Sequence, residues 1–332
     1  MYIIRMKFSY LITGGTGSFG QSIVKKLLKF NTTKKIVVFS RDEAKQFDMK
    51  NSFKDNKKLR FFIGDVRDLR RCKTAFNSID IVIHAAALKQ VPSSEYNPTE
   101  VIKTNISGAE NVIDSAISCG VKKVIALSTD KASSPVNLYG ATKLVSDKLF
   151  CSANNITGKQ KIKFSVVRYG NVIGSRGSVI PYFKELLNNK EELLPITHID
   201  MTRFLISLND GVDFVIKCLD RMHGGEIFIP KIPSAKIIDL AKSIKSNVKF
   251  KFTGVRPGEK IHEELCSKND SLNTIEFKDF YLITPSLIFK SQINYKKSMI
   301  NEKGKLVKPN FEYNSLNNPW KLSISELKTI IK

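Results

Sequence analysis

Tyr139 and Lys143 stand four residues apart in the stretch YGATK, and Thr129, Asp130 and Lys131 form a run ten residues earlier. On a helix, positions i and i+4 share a face, so the phenol and the amine would project together. A tyrosine ordinarily titrates at about 10, and a neighbouring ammonium favours its phenolate. Such a phenolate can take the proton of a sugar or alcohol hydroxyl while hydride leaves the same carbon. The hydroxyl of Thr129 can hold that oxygen. A tyrosine–lysine pair of this spacing is also common on plain surface helices, and Asp130-Lys131 can be an exposed turn. The reactive reading therefore needs a hydride acceptor nearby.

The elements before the pair supply a place for one. LITGGTGSFGQSIVKKLL runs from an apolar strand through glycines into an amphipathic helix. Gly15, Gly17 and Gly20 satisfy G-x-G-x-x-G, and Gly14, Gly17 and Gly20 give a second three-residue spacing with Ser18 and Phe19 inside it. Glycine is needed where backbone approaches a pyrophosphate, and the helix end behind it favours anions. The strand–turn–helix context is the one this motif requires. A nicotinamide dinucleotide is the expected ligand. At the end of the second strand stand Ser40 and Arg41, with Lys45 nearby. A hydroxyl and a guanidinium suit a ribose 2′-phosphate, which favours NADP; Asp42 keeps NAD open. Asp65 can accept from the adenine amino group and Val66 can cover its ring. Ala85, Ala86, Lys89, Tyr139 and Lys143 complete the expected cofactor set.

Apolar strands are expected at 8–13, 35–39, 59–63, 79–84, 123–128 and 161–168, alternating with helices. That alternation implies an α/β fold, a Rossmann-type doubly wound parallel sheet covered on both faces, with right-handed crossovers and ligands beyond the strands' carboxyl ends. After residue 178 prolines punctuate shorter elements. We therefore expect an NADP-binding domain over 1–178 and a smaller, mainly substrate-binding α/β domain over 179–332. A segment near 205–245, containing an amphipathic helix at 211–222, is expected to return to the first domain.

The net charge of +23 raises a nucleic-acid or anionic-membrane partner. Lysines outnumber arginines 43 to 11, however, and are scattered, as at Lys25-Lys26 and Lys296-Lys297. Dedicated nucleic-acid sites rely on arginine forks. The charge reads as solvated surface that also suits an anionic small molecule, with neither nucleic acid nor membrane as partner. Five widely spaced cysteines without a CxxC pair give no zinc or thioredoxin motif and suit a reducing cytoplasm. The four histidines are too far apart for a metal site, and His84, His198 and His262 read as structural. No apolar run reaches the ~18 residues of a membrane span. The opening MYIIRMKFSYLIT lacks a cleavage site and runs straight into the glycine motif, against a signal peptide.

TGGTGSFG, STDKA and YGATK resemble the extended short-chain dehydrogenase/reductase superfamily. SRDEAKQ, HAAALKQVPSSEYNP, VVRYGNVIGSRGSVIP, MTRFLISL, VRPGEKIHEEL and the tail FEYNSLNNPW are similar, more specifically, to the inverting UDP-N-acetylglucosamine 4,6-dehydratases that begin pseudaminic acid synthesis in bacteria. The likeness covers all but the first few residues. It implies a homo-oligomer, a hexamer, acting on UDP-N-acetylglucosamine.

The resemblance also implies roles. Retaining sugar-nucleotide 4,6-dehydratases carry Thr-Asp-Glu where this chain has Thr129-Asp130-Lys131. Asp130 is then the acid for the departing 6-hydroxyl, provided burial raises its pKa. Lys131 is the base for the C5 proton, provided desolvation and nearby cations depress its pKa. Lys89, Thr129, Asp130, Asn171 and Ser178 are expected at the sugar, Arg256 at the diphosphate, Glu259 at the uridine ribose, and Thr197 with Met201 at the uracil. A UDP-sugar 4-epimerase, a retaining dehydratase and a catalytically silent NADP-binding protein are the rival readings.

Overall fold

The computed structural model describes residues 6–175, 177–287 and 293–331; the reading of the leader rests in part on 1–5, outside them. Strands β1 (Phe8–Thr13), β2 (Thr33–Ser40), β3 (Leu59–Ile63), β4 (Ile81–His84), β5 (Lys123–Thr129) and β6 (Lys163–Tyr169) lie in the order β3-β2-β1-β4-β5-β6. Every neighbouring pair is parallel. Leu11 and Ile12 of β1 are wholly buried, each burial worth about 1.5–3 kcal/mol. Such strands need cover on both faces, which the alternating helices supply. Strand ends differ from the sequence expectation by one or two residues at 35–39, 79–84 and 161–168, because ladder pairing sets them rather than apolar pattern.

The stretch after residue 200 contributes to the same sheet. Helix Leu208–Arg221 packs on α1 (Ser18–Leu27), where Lys26 and Asp213 pair at 2.8 Å. Strand Ile227–Pro230 runs parallel to β6. Beyond it the sheet turns antiparallel through Phe280–Ile283, Thr274–Glu276 and Lys305–Leu306. The sequence reading contains none of these last three strands, which are short and find partners far away in the chain. A second apolar cluster around Phe183, Leu194, Leu240 and Leu327 joins helices Val179–Asn188, Ile237–Ile244 and Ile324–Ile330. Among the described residues no helix is long and apolar enough to cross a membrane.

Helix starts divide into two kinds. Asp42 caps α2 (Glu43–Ser52), Asp68 caps α3 (Leu69–Phe76) and Asn137 caps the helix Leu138–Ser152, each accepting from a main-chain N–H. A cap of this type contributes about 1 kcal/mol. Helix α1 begins after Gly17 with no side-chain cap.

Candidate active site

Thr13 at the end of β1 and His84 at the end of β4 are register partners at the switch point of the sheet. The Thr13 hydroxyl hydrogen-bonds the His84 ring at 2.8 Å and accepts from the N–H groups of Ala85 and Ala86 at 3.1 and 3.2 Å. Gly14 follows with φ +65°, and a Cβ there would meet the main chain of Ala85 and Ala86 at 2.9 Å. Glycine is required on both counts. Because α1 lacks a side-chain cap, its first N–H groups remain available to a phosphate. This cradle fits the pyrophosphate of a dinucleotide.

The cradle opens into a cleft of about 1590 Å³, and every residue expected from the sequence to touch cofactor or substrate borders it, Gly15 of the glycine motif alone lying behind the lining. Gly14, Gly17, Ser18, Phe19 and Gly20 form one wall with Ala85, Ala86 and Lys89. Ser40, Arg41, Asp42, Lys45, Asp65 and Val66 surround the far end. There the Ser40 hydroxyl accepts from Gln46 at 3.0 Å, while Asp42 accepts from the Lys45 N–H at 2.9 Å and pairs with its ammonium. Asp42 thus has a capping task of its own. Arg41 reaches Asp65 at 3.6 Å with about half its side chain exposed. Burial pushes the Asp65 carboxyl up, but hydrogen bonds from Arg67 outweigh it and hold the group below its ordinary value.

At the other end, Thr129 closes β5 and donates to Asp130 Oδ1 at 3.0 Å. Lys131 Nζ lies 3.1 Å from the same oxygen and 2.9 Å from Glu263 Oε1. The helix Leu138–Ser152 presses against this turn because Gly140 has no side chain: a Cβ there would meet the Lys131 carbonyl at 2.2 Å. Tyr139 and Lys143 are both buried on that helix. The Lys143 amine donates to the Leu127 carbonyl at 2.7 Å.

The electrostatics revise two expectations. Burial pushes Asp130 up, and Glu263 adds to it against the opposing charge of Lys131. Lys131, however, is not depressed. Burial does work against its ammonium, yet Asp130 and Glu263 outweigh both burial and the cation Arg203, so the amine is raised. The sequence reading counted cations around Lys131 and overlooked a carboxylate arriving from residue 263. Tyr139 likewise is not lowered: burial pushes it up to about 12, with Lys131 and Thr129 pulling the other way. Lys143, turned toward Leu127, is itself lowered by burial, with Asp147 opposing.

Elsewhere along the cleft, Asn171 Oδ1, Ser178 Oγ, Asp130 Oδ2 and Glu263 Oε2 are buried without a hydrogen-bond partner among the described residues. Buried polar atoms normally find partners, so four together are notable. Thr197 donates to the Met201 sulfur at 3.0 Å. Arg256 and Glu259 bond each other at 3.0 Å, and Glu259 also lies 3.5 Å from Arg203.

Residues 10–285 match the model of a family described as polysaccharide biosynthesis protein. The chain is 56% identical to a UDP-N-acetylglucosamine 4,6-dehydratase (inverting) of Campylobacter jejuni, over 98% of this chain and 97% of that one. The chain belongs to the inverting UDP-N-acetylglucosamine 4,6-dehydratase family. It is an enzyme of that dehydratase type. The dehydratase fold is shared with the X-ray structure of Pen from Bacillus thuringiensis, at a TM-score of 0.87 and 38% identity, covering 99% of both chains. A UDP-glucose 4-epimerase of Rickettsia massiliae is 41% identical over 97% of this chain and 94% of its own.

Sequence reasoning about this dehydratase missed Glu263 and Arg203. Both stand in stretches that carried the family likeness, MTRFLISL and VRPGEKIHEEL. Arg203 is buried on the strand Thr202–Ile206, donates to the carbonyls of Lys260 and Ile261 at 3.0 Å, and lies 3.7 Å from Glu263. No local spacing links 131, 203 and 263; a charged residue on an apolar strand and a doubled glutamate were the available signals.

Proposed function

We propose that the protein oxidises UDP-N-acetylglucosamine at C4, removes water across C5 and C6, reduces C6 and inverts C5, with NADP as the regenerated cofactor. The observation that carries the reading is the partly buried Lys131 amine held between the buried carboxyl groups of Asp130 and Glu263, beside Tyr139 in one cleft with the dinucleotide cradle. Oxidation alone, or epimerisation, has no use for an acid and an amine beside the tyrosine.

When bound, the nicotinamide supplies the acceptor for the C4 hydride and the donor for C6. Gly14 and the uncapped end of α1 bind the pyrophosphate, and Arg41 with Ser40 takes the ribose 2′-phosphate. Tyr139 takes the O4 proton, with Thr129 holding the same oxygen. The resulting 4-ketone acidifies C5–H, and Lys131 removes that proton. Asp130, whose carboxyl burial pushes up, takes a proton and passes it to the departing 6-hydroxyl. Because Lys131 rests as an ammonium between two carboxylates, proton removal at C5 becomes faster as pH rises. Arg256 and Glu259 exchange their mutual bonds for the diphosphate and the ribose, and Asn171 and Ser178 turn their free acceptors to the sugar. Thr197 and Met201 border the uracil.

The same reading makes the protein a cytoplasmic homo-oligomer, a hexamer by resemblance, whose product enters pseudaminic acid and surface-glycan synthesis; the polysaccharide-biosynthesis match supports this placement. Incubation with UDP-N-acetylglucosamine in deuterated water, followed by product NMR and mass, tests it. The expected product has lost one water and carries deuterium at an inverted C5. A product of unchanged mass supports the epimerase instead. Lys131→Ala should retain cofactor binding and lose C5 exchange.

A further inference from the structure

Glu263 enters the cleft from a part of the chain remote from the catalytic turn. Its N–H donates to Ser315 Oγ at 2.9 Å, and that hydroxyl in turn meets Thr202 Oγ1 at 2.6 Å, so its main chain is anchored independently of Lys131. The side chain is 2% exposed. Oε1 touches Lys131 Nζ at 2.9 Å, while Oε2 has no partner among the described residues. A glutamate retained only to complete the core would have both oxygens satisfied, since a buried orphan acceptor is costly.

We infer that Glu263 is a positioning residue of the dehydration step, holding the Lys131 amine in register with Asp130 and setting how readily it gives up its proton. The inference rests on the dehydratase mechanism proposed above, with Lys131 acting at C5. The clamp is geometric. Lys131 has a long flexible stem, and a single contact to Asp130 on its own turn would leave the amine free to swing. The second contact comes from 132 residues later in the chain and fixes it. The titratable and charged groups facing the amine are Asp130 on its own turn, Tyr139 from the helix Leu138–Ser152, Arg203 from the strand Thr202–Ile206, and Lys260 with Glu263 from the 256–263 segment. Of the partners outside its own turn, Glu263 is the anion within contact, so its charge is the one that stabilises the ammonium from the substrate domain side.

The consequence has a definite sign. A neighbouring anion raises an amine's pKa by about 1–3 units. Removing it lowers the pH at which the free amine forms. In Glu263→Gln, the rise of C5 deuterium exchange with pH should shift to lower pH by about 1–3 units. Its plateau rate should fall about 100-fold because the amine is no longer held, and KM should change little. Glu263→Asp, which keeps the charge, should leave the limb near its original pH. Oxidation at C4, followed as cofactor reduction with UDP-N-acetylglucosamine under single turnover, should persist in both variants and shows that the fold and cofactor site are intact. A limb that does not move in Glu263→Gln, while Lys131→Ala abolishes exchange, overturns the role of Glu263 alone. Exchange that survives Lys131→Ala overturns the lysine mechanism on which it rests.

Discussion

The side-chain amide of Asn105 clasps the main chain of Leu88 from both sides: Oδ1 accepts from the Leu88 N–H and Nδ2 donates to its carbonyl, each at 2.9 Å. The same Nδ2 donates to Thr142 Oγ1 at 3.0 Å, on the helix that carries Tyr139 and Lys143. One buried amide thus ties the loop bearing Lys89 to the reactive helix. Asn105→Ala removes both loop bonds at once. We expect a loss of about 2 kcal/mol in urea unfolding, together with a lower kcat from the freed loop. Unchanged stability would show that the loop holds its shape without the clasp.

Arg168 and Asp147 form an ion pair at 3.1 Å with side chains only 3% and 1% exposed. Asp147 also accepts from Ser128 at 2.8 Å, just before Thr129, and Arg168 donates to the Leu265 carbonyl at 3.1 Å, just beyond Glu263. The pair therefore braces β5, which leads to Thr129, and the stretch around Leu265 that follows Glu263. Leaving one member of such a pair alone is far worse than removing both. Arg168→Met should cost about 3–5 kcal/mol in denaturant unfolding, and the double variant with Asp147→Asn should recover part of it. Equal losses in the single and double variants would refute the coupling.

Burial, aided by the charge of Lys143, holds His84 at about 3 against an ordinary 6.5. Between those values the unfolded chain binds a proton that the folded chain refuses. The contribution of neutral His84 is therefore complete above about pH 6.5 and is lost as pH falls, at up to about 1.4 kcal/mol per unit, until about pH 3. His84→Asn should flatten the acid limb of the stability profile by that slope relative to the parent. Parallel limbs in the two proteins would show that another group carries the acid sensitivity.

Arg41 projects into the cleft beside Ser40, while Asp42 is occupied with Lys45 and the start of α2. One charge-assisted hydrogen bond to a phosphate is worth about 1.5–3 kcal/mol. Arg41→Ala should weaken NADP binding by roughly 10- to 100-fold and leave NAD binding nearly unaltered, as read by calorimetric titration with each nucleotide. A parallel loss for both would return Asp42 to the ribose and NAD to the site.

The cofactor half was legible in the residues themselves. G-x-G-x-x-G between an apolar strand and an amphipathic helix, and Tyr139 four residues before Lys143, are local patterns, because helix period and turn geometry act over a few positions. The alternation of apolar strands with helices pointed to the parallel sheet, whereas the residues expected at the sugar and the uridine came from the family resemblance rather than from any local pattern. The protonation of the reactive groups was beyond their reach. The charge on Lys131 depends on Glu263, and Glu263 is held by Ser315 and faced by Arg203, contacts that span tens to over a hundred positions. Desolvation and Coulomb interaction depend on distance in space and on burial, and neither quantity exists until the chain has closed around the site. For the same reason the antiparallel strands at 274–276, 280–283 and 305–306 had no local signature: each is a few residues long and is a strand only because another lies beside it.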